Sequence, residues 1–163
     1  MHRSLFPPLY IVLTAIFIYS CDSFETKVPA SEIKKASAWS KNDQFPSFPN
    51  CEGLKGENAQ KCFGDIVGEN IATFLSTQEM VASRSIDAEI ILVIEVDKEG
   101  ALSLAAVEDP NYVLSDVSNL KDMLEQAVAQ APKALPATKT NVGTYVTVSV
   151  KLPVQIVAQP ATE

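Results

Sequence analysis

Hydrophobic residues are most concentrated in the middle of the chain, where two apolar runs flank the polar residues 97–100. In the first run every even-numbered position from 88 to 96 is apolar, while glutamates occur only at odd-numbered positions. Because successive side chains of a strand point to opposite faces, this alternation predicts a strand with one buried face. Gly100 can supply the positive φ that a hairpin connection needs. We therefore predict a β-hairpin over residues 86–107. On its second strand, the predicted shared face consists of Leu102, Leu104 and Ala106.

Two further segments have the apolar spacing of amphipathic helices. Residues 57–77 place their apolar side chains on one helical face, and residues 115–131 do the same. Gly64 and Gly68 lie one turn apart in the first helix, where each costs about 1 kcal/mol of helix propensity relative to Ala. Close approach of the helix to a sheet would explain them, and a functional seam of small residues is the alternative. The residues able to cap the second helix are Ser115 and Asp116.

The end of the chain alternates between apolar and polar residues over positions 144–157, which predicts a last strand with one face on the core and one in water. Pro153 lies within it and favours an edge strand or a bulge, because proline cannot donate to a ladder. The predicted order is therefore helix, strand, strand, helix, strand. We expect an α+β fold in which a small antiparallel sheet of about three strands has two helices packed on one face.

The first twenty residues have the features of an export signal. A basic start is followed by the apolar residues 9–19, a run too short to span a bilayer, which needs about 20 apolar residues. The run ends in Ile18-Tyr19-Ser20-Cys21, which resembles the lipobox of bacterial lipoproteins. That resemblance implies cleavage before Cys21 and attachment of lipid to it, and several acyl chains would anchor the chain stably in a membrane. An ordinary cleaved signal that leaves Cys21 as a surface thiol is the alternative.

The cysteine count bears on the same question. The chain has three cysteines, an odd number for an exported protein. If Cys21 is lipidated, Cys51 and Cys62 remain as a pair that could form a disulfide in an oxidising compartment. Two free thiols, or two ligands of a metal site, are the alternatives. A zinc site needs about four ligands, and no other Cys or His of the predicted mature chain supplies them, so we expect the disulfide and no metal.

Charge and motif content argue against two classes of function. The net charge is −7, and an acidic chain repels phosphate backbones, so we expect no nucleic-acid partner. The only histidine is His2, within the predicted signal, and the chain has no nucleophile elbow, P-loop or dinucleotide fingerprint. Asp97 and Glu99 form a carboxylate pair, but in a predicted turn, where solvation is the ordinary explanation. We expect no enzyme and no cofactor; an enzyme that uses carboxylates alone is the alternative.

The order of several short motifs across residues 45–157 resembles the TonB C-terminal domain of Bacteroidota-type envelope proteins. The matching segments are FPNCEGL at 48–54, KCF at 61–63, DKEG at 97–100, LPA at 135–137 and LPV at 152–154. The chain departs from the family in lacking the Tyr-Pro that usually follows the first helix. It also has a lipobox and a tether of about twenty residues, at most ~70 Å long, in place of a transmembrane helix and a long spacer. The resemblance therefore implies the fold more strongly than it implies energy transduction.

We accordingly expect a signal at residues 1–20, a lipidated cysteine and flexible tether at 21–44, the domain at 45–158 and a tail at 159–163. The resemblance implies a lipid-anchored binding module of the cell envelope, on the periplasmic side of the outer membrane. Its partner would be a peptide of an envelope or outer-membrane protein that adds as a strand to the sheet edge. An edge covered by solvent or by residues 45–49 is the alternative, as is a structural or assembly lipoprotein. The predicted partner-binding edge consists of Thr144, Tyr145, Val146, Thr147, Val148, Ser149, Val150 and Lys151.

Overall fold

The computed structural model of the chain describes residues 39, 40 and 42–160. The predicted export signal, the predicted lipidation site at Cys21 and most of the predicted tether lie outside these residues, as do residues 161–163. The fold below is that of the described part of the chain.

Two helices and five strands follow one another in the order α1, β1, β2, α2, β3, β4, β5. The helices are α1 (Glu57–Ser76) and α2 (Leu120–Ala129), and the strands are β1 (Ile86–Val96), β2 (Leu102–Glu108), β3 (Ala137–Lys139), β4 (Thr144–Val146) and β5 (Val148–Ala158). Short helical turns also occur at Pro49–Cys51 and Val113–Asp116. No helix in this part of the chain is both long enough and apolar enough to cross a bilayer.

A three-stranded antiparallel sheet in the order β2-β1-β5 forms the centre of the fold. Strand β1 pairs with β5 over its whole length, from Ile86 opposite Ala158 to Val96 opposite Val148. Because β5 pairs only with β1 among the described strands, it is an edge strand, and Pro153 lies in it without disrupting a second ladder. The predicted α+β class, the antiparallel three-stranded sheet and the two helices are confirmed.

Both helices pack on the same face of this sheet. The apolar residues at even-numbered positions of β1 are buried, except for the partly buried Ala88, and they form one hydrophobic cluster with α1 and α2. Helix α1 buries one side chain about every fourth residue, as its sequence spacing predicts. The buried residues of the helices are Phe63, Val67, Ile71 and Leu75 on α1, and Leu120, Met123, Leu124, Ala127 and Val128 on α2.

A β-bulge in β2 corrects the predicted face of that strand. Val93 lies opposite Ala106, but Ile94 lies opposite Leu104, so Ala105 is an extra residue between them. The extra residue reverses the alternation, so that Val107 packs against the core and Ala106 is exposed. The prediction that Ala106 shares the face of Leu102 and Leu104 was therefore wrong.

The second helix begins later than its apolar pattern predicts. Tyr112 and Asn119 adopt left-handed conformations with φ of 58° and 59°, which separates one helical turn from α2. Neither Ser115 nor Asp116 caps α2, whose N-cap position is Asn119. The carboxylate of Asp109 instead accepts the N–H groups at the start of the helical turn, at 2.9 and 2.8 Å.

A second, smaller sheet joins the N-terminal segment to the chain between α2 and β5. Strand β3 pairs with β4, and on the main chain Gln44 and Thr138 also exchange hydrogen bonds at 2.9 and 2.8 Å. Packing on the fold therefore begins before Phe45, the predicted first residue of the domain. Trp39 stacks on Phe45 with 4.7 Å between the ring centroids, and it remains 41% exposed.

Candidate functional site

A groove of about 650 Å³ lies between helix α1 and the first half of β5. Its walls are a face of the helix on one side and the edge strand on the other, and the aromatic N-terminal segment closes part of it. The residues that line it are Phe45, Pro46, Gln60, Lys61, Phe63, Gly64, Asp65, Gly68, Glu69, Ser149, Val150, Lys151, Leu152 and Pro153. The groove therefore includes the last three residues of the predicted partner-binding edge.

The two glycines of α1 shape the groove in different ways. A Cβ atom added to Gly64 would meet the Cδ1 atom of Leu152 at 3.3 Å, so Gly64 permits the close approach of helix and strand. A Cβ atom added to Gly68 would meet no atom within 4 Å. The predicted close approach to the sheet holds for Gly64, whereas for Gly68 it was wrong. Gly68 instead leaves open space in the wall of the groove.

The direction of the main-chain groups in β5 follows from the hairpin. The N–H of Asp97 donates to the C=O of Ala101 at 3.0 Å, so main-chain groups at odd-numbered positions of β1 point toward β2. Because these directions alternate along a strand, the even-numbered positions of β1 bond to β5. Val96 lies opposite Val148, so the main-chain N–H and C=O groups of the even-numbered residues of β5 point toward β1. The main-chain groups of the odd-numbered residues of β5 point away from β1, to the free edge of the sheet.

Ser149 and Lys151 therefore direct their N–H and C=O groups to the free edge, at the groove. Both residues are exposed, and the described part of the chain supplies no hydrogen bond to their main chain. Pro153 has the same orientation, which explains why β5 tolerates it: its missing N–H falls on the free side. The edge thus presents unpaired donors and acceptors up to Lys151 and has no donor at position 153.

The charged side chains around the groove are mostly paired with one another. Lys61 bonds to Asp65 at 2.7 Å along α1, and Lys151 bonds to Glu108 at 2.5 Å across the sheet. Both pairs are exposed, so each contributes little to stability. Glu69 has no ion-pair partner among the described residues. Because Lys61 and Lys151 are both paired with carboxylates, the described walls of the groove have no unpaired cation.

A polar anchor holds the N-terminal segment beside the groove. The buried carboxylate of Asp43 accepts the N–H of Ser40 at 2.8 Å and the N–H of Thr140 at 2.9 Å. These contacts, with the Ser40 hydrogen bond as the largest cause, lower the pKa of Asp43 to about 2. Lys139 lies 3.9 Å from the same carboxylate, and its Nζ is 5.2 Å from the centre of the Trp39 ring. The anchor joins the segment that precedes Phe45 to the β3–β4 hairpin.

The structure divides the predicted partner-binding edge at Thr147. Thr144, Tyr145 and Val146 form β4, which pairs with β3, whereas the residues from Val148 onward belong to β5. Tyr145 is 57% exposed but lies outside the groove. The segment 45–49, which is the alternative cover of this edge, pairs with Leu135, and the preceding Gln44 pairs with Thr138 of β3. Its first two residues also line the groove beside β5.

The predicted disulfide between Cys51 and Cys62 is present, with 5.9 Å between the Cα atoms. It ties the helical turn before α1 to the first third of that helix. The stacked rings of Phe48 and Phe63, 5.1 Å apart, lie beside it. The disulfide therefore fixes the end of α1 that forms one side of the groove.

Neither a metal-binding cluster nor an unsatisfied buried polar side chain occurs in the described part of the chain. Across residues 39, 40 and 42–160, no group of three or more His, Cys, Asp or Glu side chains could hold a metal ion. In the same part of the chain, every buried side-chain nitrogen or oxygen has a hydrogen-bond partner. What the groove offers to a ligand is apolar surface and the open backbone edge of β5. The sequence indicated β5 as a candidate edge, but it did not indicate that α1 forms the opposite wall of the groove; the pair Gly64 and Gly68, for which a functional seam was the alternative explanation, was the signal for it.

Comparisons of the chain with family models, with curated proteins and with solved structures found no match.

Proposed function

We propose that this chain is a non-enzymatic, lipid-anchored binding module of the cell envelope that captures an extended peptide by strand addition to β5. One observation supports the proposal above all: the free edge at Ser149 and Lys151 forms one wall of a groove whose lining is partly apolar. A peptide laid in the groove would satisfy the unpaired main-chain groups, while its side chains would contact the helix.

The cellular setting comes from the sequence. The lipobox-like segment ending at Cys21 supports a lipid anchor, and the motif order that resembles the TonB C-terminal domain supports a place in the envelope. On this proposal the partner is a segment of an envelope or outer-membrane protein, and the module contributes to energy-coupled transport across the outer membrane. Mass spectrometry of the mature N-terminus tests the anchor, since acyl groups on Cys21 are expected and an unmodified thiol would contradict it.

Proline substitution at the free edge tests strand addition. Ser149→Pro removes an N–H that points into the groove and leaves the ladder between β5 and β1 intact, so the fold is expected to survive while capture is lost. Gln155→Pro is the matched control, because it has the same orientation but lies beyond the groove-lining residues. The measurement is capture of proteins from envelope extract by the full-length chain and by both variants, with circular dichroism as the check of folding.

A protein that is retained by the wild type and by Gln155→Pro, and lost with Ser149→Pro, is the expected result. Equal retention by all three chains would rule out binding at this edge. Retention of no protein, together with self-association in size-exclusion chromatography, would favour the alternative of a structural or assembly lipoprotein.

A further inference from the structure

Gly68 occupies a position where the fold itself does not require glycine. It lies in the interior of α1, its φ is in the ordinary helical range, and an added Cβ atom would contact nothing within 4 Å. Alanine would fit without strain and would favour the helix, because glycine is the poorest helix former after proline. The packing requirement that explains Gly64 is absent here. The open space at Gly68 is therefore available to a molecule outside the fold.

The surroundings of that space determine what could fill it. The strand side of the groove is lined by Val150, Leu152 and Pro153, so a group that enters between Gly68 and β5 meets apolar side chains on that side, while Asp65 and Glu69 lie beside Gly68 on the helix. The nearest cations, Lys61 and Lys151, are already paired with carboxylates. An anionic ligand such as a phosphate headgroup would find no unpaired cation among the described residues, whereas an uncharged apolar group would lose nothing on entry.

The free edge of β5 decides between a lipid chain and a peptide. An acyl chain in the groove would cover the N–H and C=O groups of Ser149 and Lys151 without bonding to them, and unpaired groups removed from water are unfavourable. An extended peptide would bond to both residues. Since side chains alternate along a strand, every second residue of that peptide would point toward α1.

We infer that the space at Gly68 receives a bulky apolar side chain, such as Leu or Phe, from the peptide that adds to β5. This inference rests on the proposed function and specifies the class of ligand: a short extended segment with a large apolar residue facing α1. Pro153 limits its length, because the edge offers no donor at that position. The pairing segment would therefore lie against residues 148–152.

A series of three synthetic peptides tests the inference. Each is a blocked eight-residue peptide of alternating Thr and Val, and the three differ only in one central residue, which is Ala, Leu or Phe. Their affinities for the detergent-solubilised full chain are measured by isothermal titration calorimetry. We expect the Leu and Phe peptides to bind roughly tenfold more tightly than the Ala peptide, because they bury additional apolar surface.

Two variants show whether the difference arises at Gly68. Gly68→Leu fills the space, so the preference for Leu and Phe over Ala is expected to disappear. Ala72→Leu adds the same bulk one turn later at an exposed position outside the groove, and the preference is expected to persist. Thermal unfolding establishes whether both variants are folded. If Gly68→Leu does not fold, Gly68→Ala replaces it, because the alanine side chain occupies part of the same space.

Hydrogen exchange separates failure of this inference from failure of the proposed function. Strand addition should slow exchange of the amide protons of Ser149 and Lys151 with every peptide that binds. Protection of these amides with equal affinity for all three peptides would refute the inference about Gly68 and leave strand addition standing. Absence of binding and of protection with all three peptides would contradict both proposals.

Discussion

Replacing the buried Gly100 by alanine should destabilise the fold by several kcal/mol, although the substitution adds only a single methyl group in the turn between β1 and β2. Gly100 has φ of +80° and closes the hairpin turn, where its N–H donates to the C=O of Asp97. A Cβ atom at this position would lie 1.8 Å from the carbonyl oxygen of Ala134 and 2.9 Å from its carbonyl carbon. The N–H of Ala134 also donates to the C=O of Gly100 at 2.8 Å. The turn is thus held against the chain that leads into β3.

The magnitude follows from two separate costs. The left-handed conformation costs an L-residue roughly 1–2 kcal/mol. The backbone at Ala134 would also have to retreat by more than about 1 Å, which breaks its hydrogen bond and leaves a buried donor unpaired, at a cost of about 1–3 kcal/mol. The total loss in free energy of unfolding is about 2–5 kcal/mol. Gly143→Ala is the matched control, because Gly143 has φ of +62° but no atom within 4 Å of an added Cβ.

Thermal and urea unfolding followed by circular dichroism measure both losses. At about 4 °C per kcal/mol, Gly100→Ala should lower Tm by roughly 8–20 °C, and Gly143→Ala, which has only the conformational cost, by about 4–8 °C. Similar losses for the two variants would show that the contact with Ala134 contributes nothing, and would refute the proposed docking of the hairpin turn on the chain before β3.

Three further predictions concern the stability of the fold. Replacing Cys51 and Cys62 together by Ala should lower the free energy of unfolding by about 3 kcal/mol in urea titrations, because the closed loop no longer restricts the unfolded chain; an unchanged midpoint would contradict this. Because the pKa of Asp43 is lowered to about 2 from 3.8, its ionised form stabilises the fold above pH 4 and this contribution is lost as the pH falls toward 2. Asp43→Asn should therefore be less stable than the wild type at pH 6, with the difference shrinking between pH 4 and 2; a difference that does not depend on pH would refute the assignment. Ile90→Ala should cost about 2–5 kcal/mol, whereas Ile91→Ala, on the opposite face of β1, should cost much less; equal losses in denaturant titrations would contradict the alternation.

The sequence was sufficient to predict the elements whose patterns are local. The apolar spacing of residues 57–77 predicted α1 to within one residue at its end, because one uninterrupted face is buried along the helix. The alternation along β1 and along β5 predicted which side chains reach the core, and Pro153 indicated the edge. In these elements a single periodicity applies from one end to the other.

Interruptions of a periodicity were not predictable in the same way. The bulge at Ala105 lies in a run of small apolar residues, where either face is compatible with burial, so only the register with β1 determines it. The left-handed residue Asn119 interrupts a segment whose apolar spacing is that of one continuous helix. Asn119 was a weak signal, because asparagine tolerates this conformation better than most residues.

The groove itself depends on long-range contacts. The groove requires that Leu152 approach the helix closely at Gly64 and that no atom lie within 4 Å of an added Cβ atom at Gly68. The sequence around the two glycines does not distinguish these two environments. The anchoring of the N-terminal segment by Asp43 is likewise a contact across almost a hundred positions. The alternation of residues 144–157 continues through Thr147, so the pattern did not indicate where pairing with β3 ends and pairing with β1 begins.

Pro153 has a consequence for the behaviour of the protein at high concentration. An uncovered edge strand of eleven residues is a template for other copies of the same chain, and such edges promote aggregation. The proline ring interrupts this template near its middle, so two copies aligned edge to edge could not form a continuous ladder along β5. The fold therefore keeps only a short stretch of open backbone at this edge, which discourages polymerisation. A Pro153→Val variant is the one in which that protection would be lost.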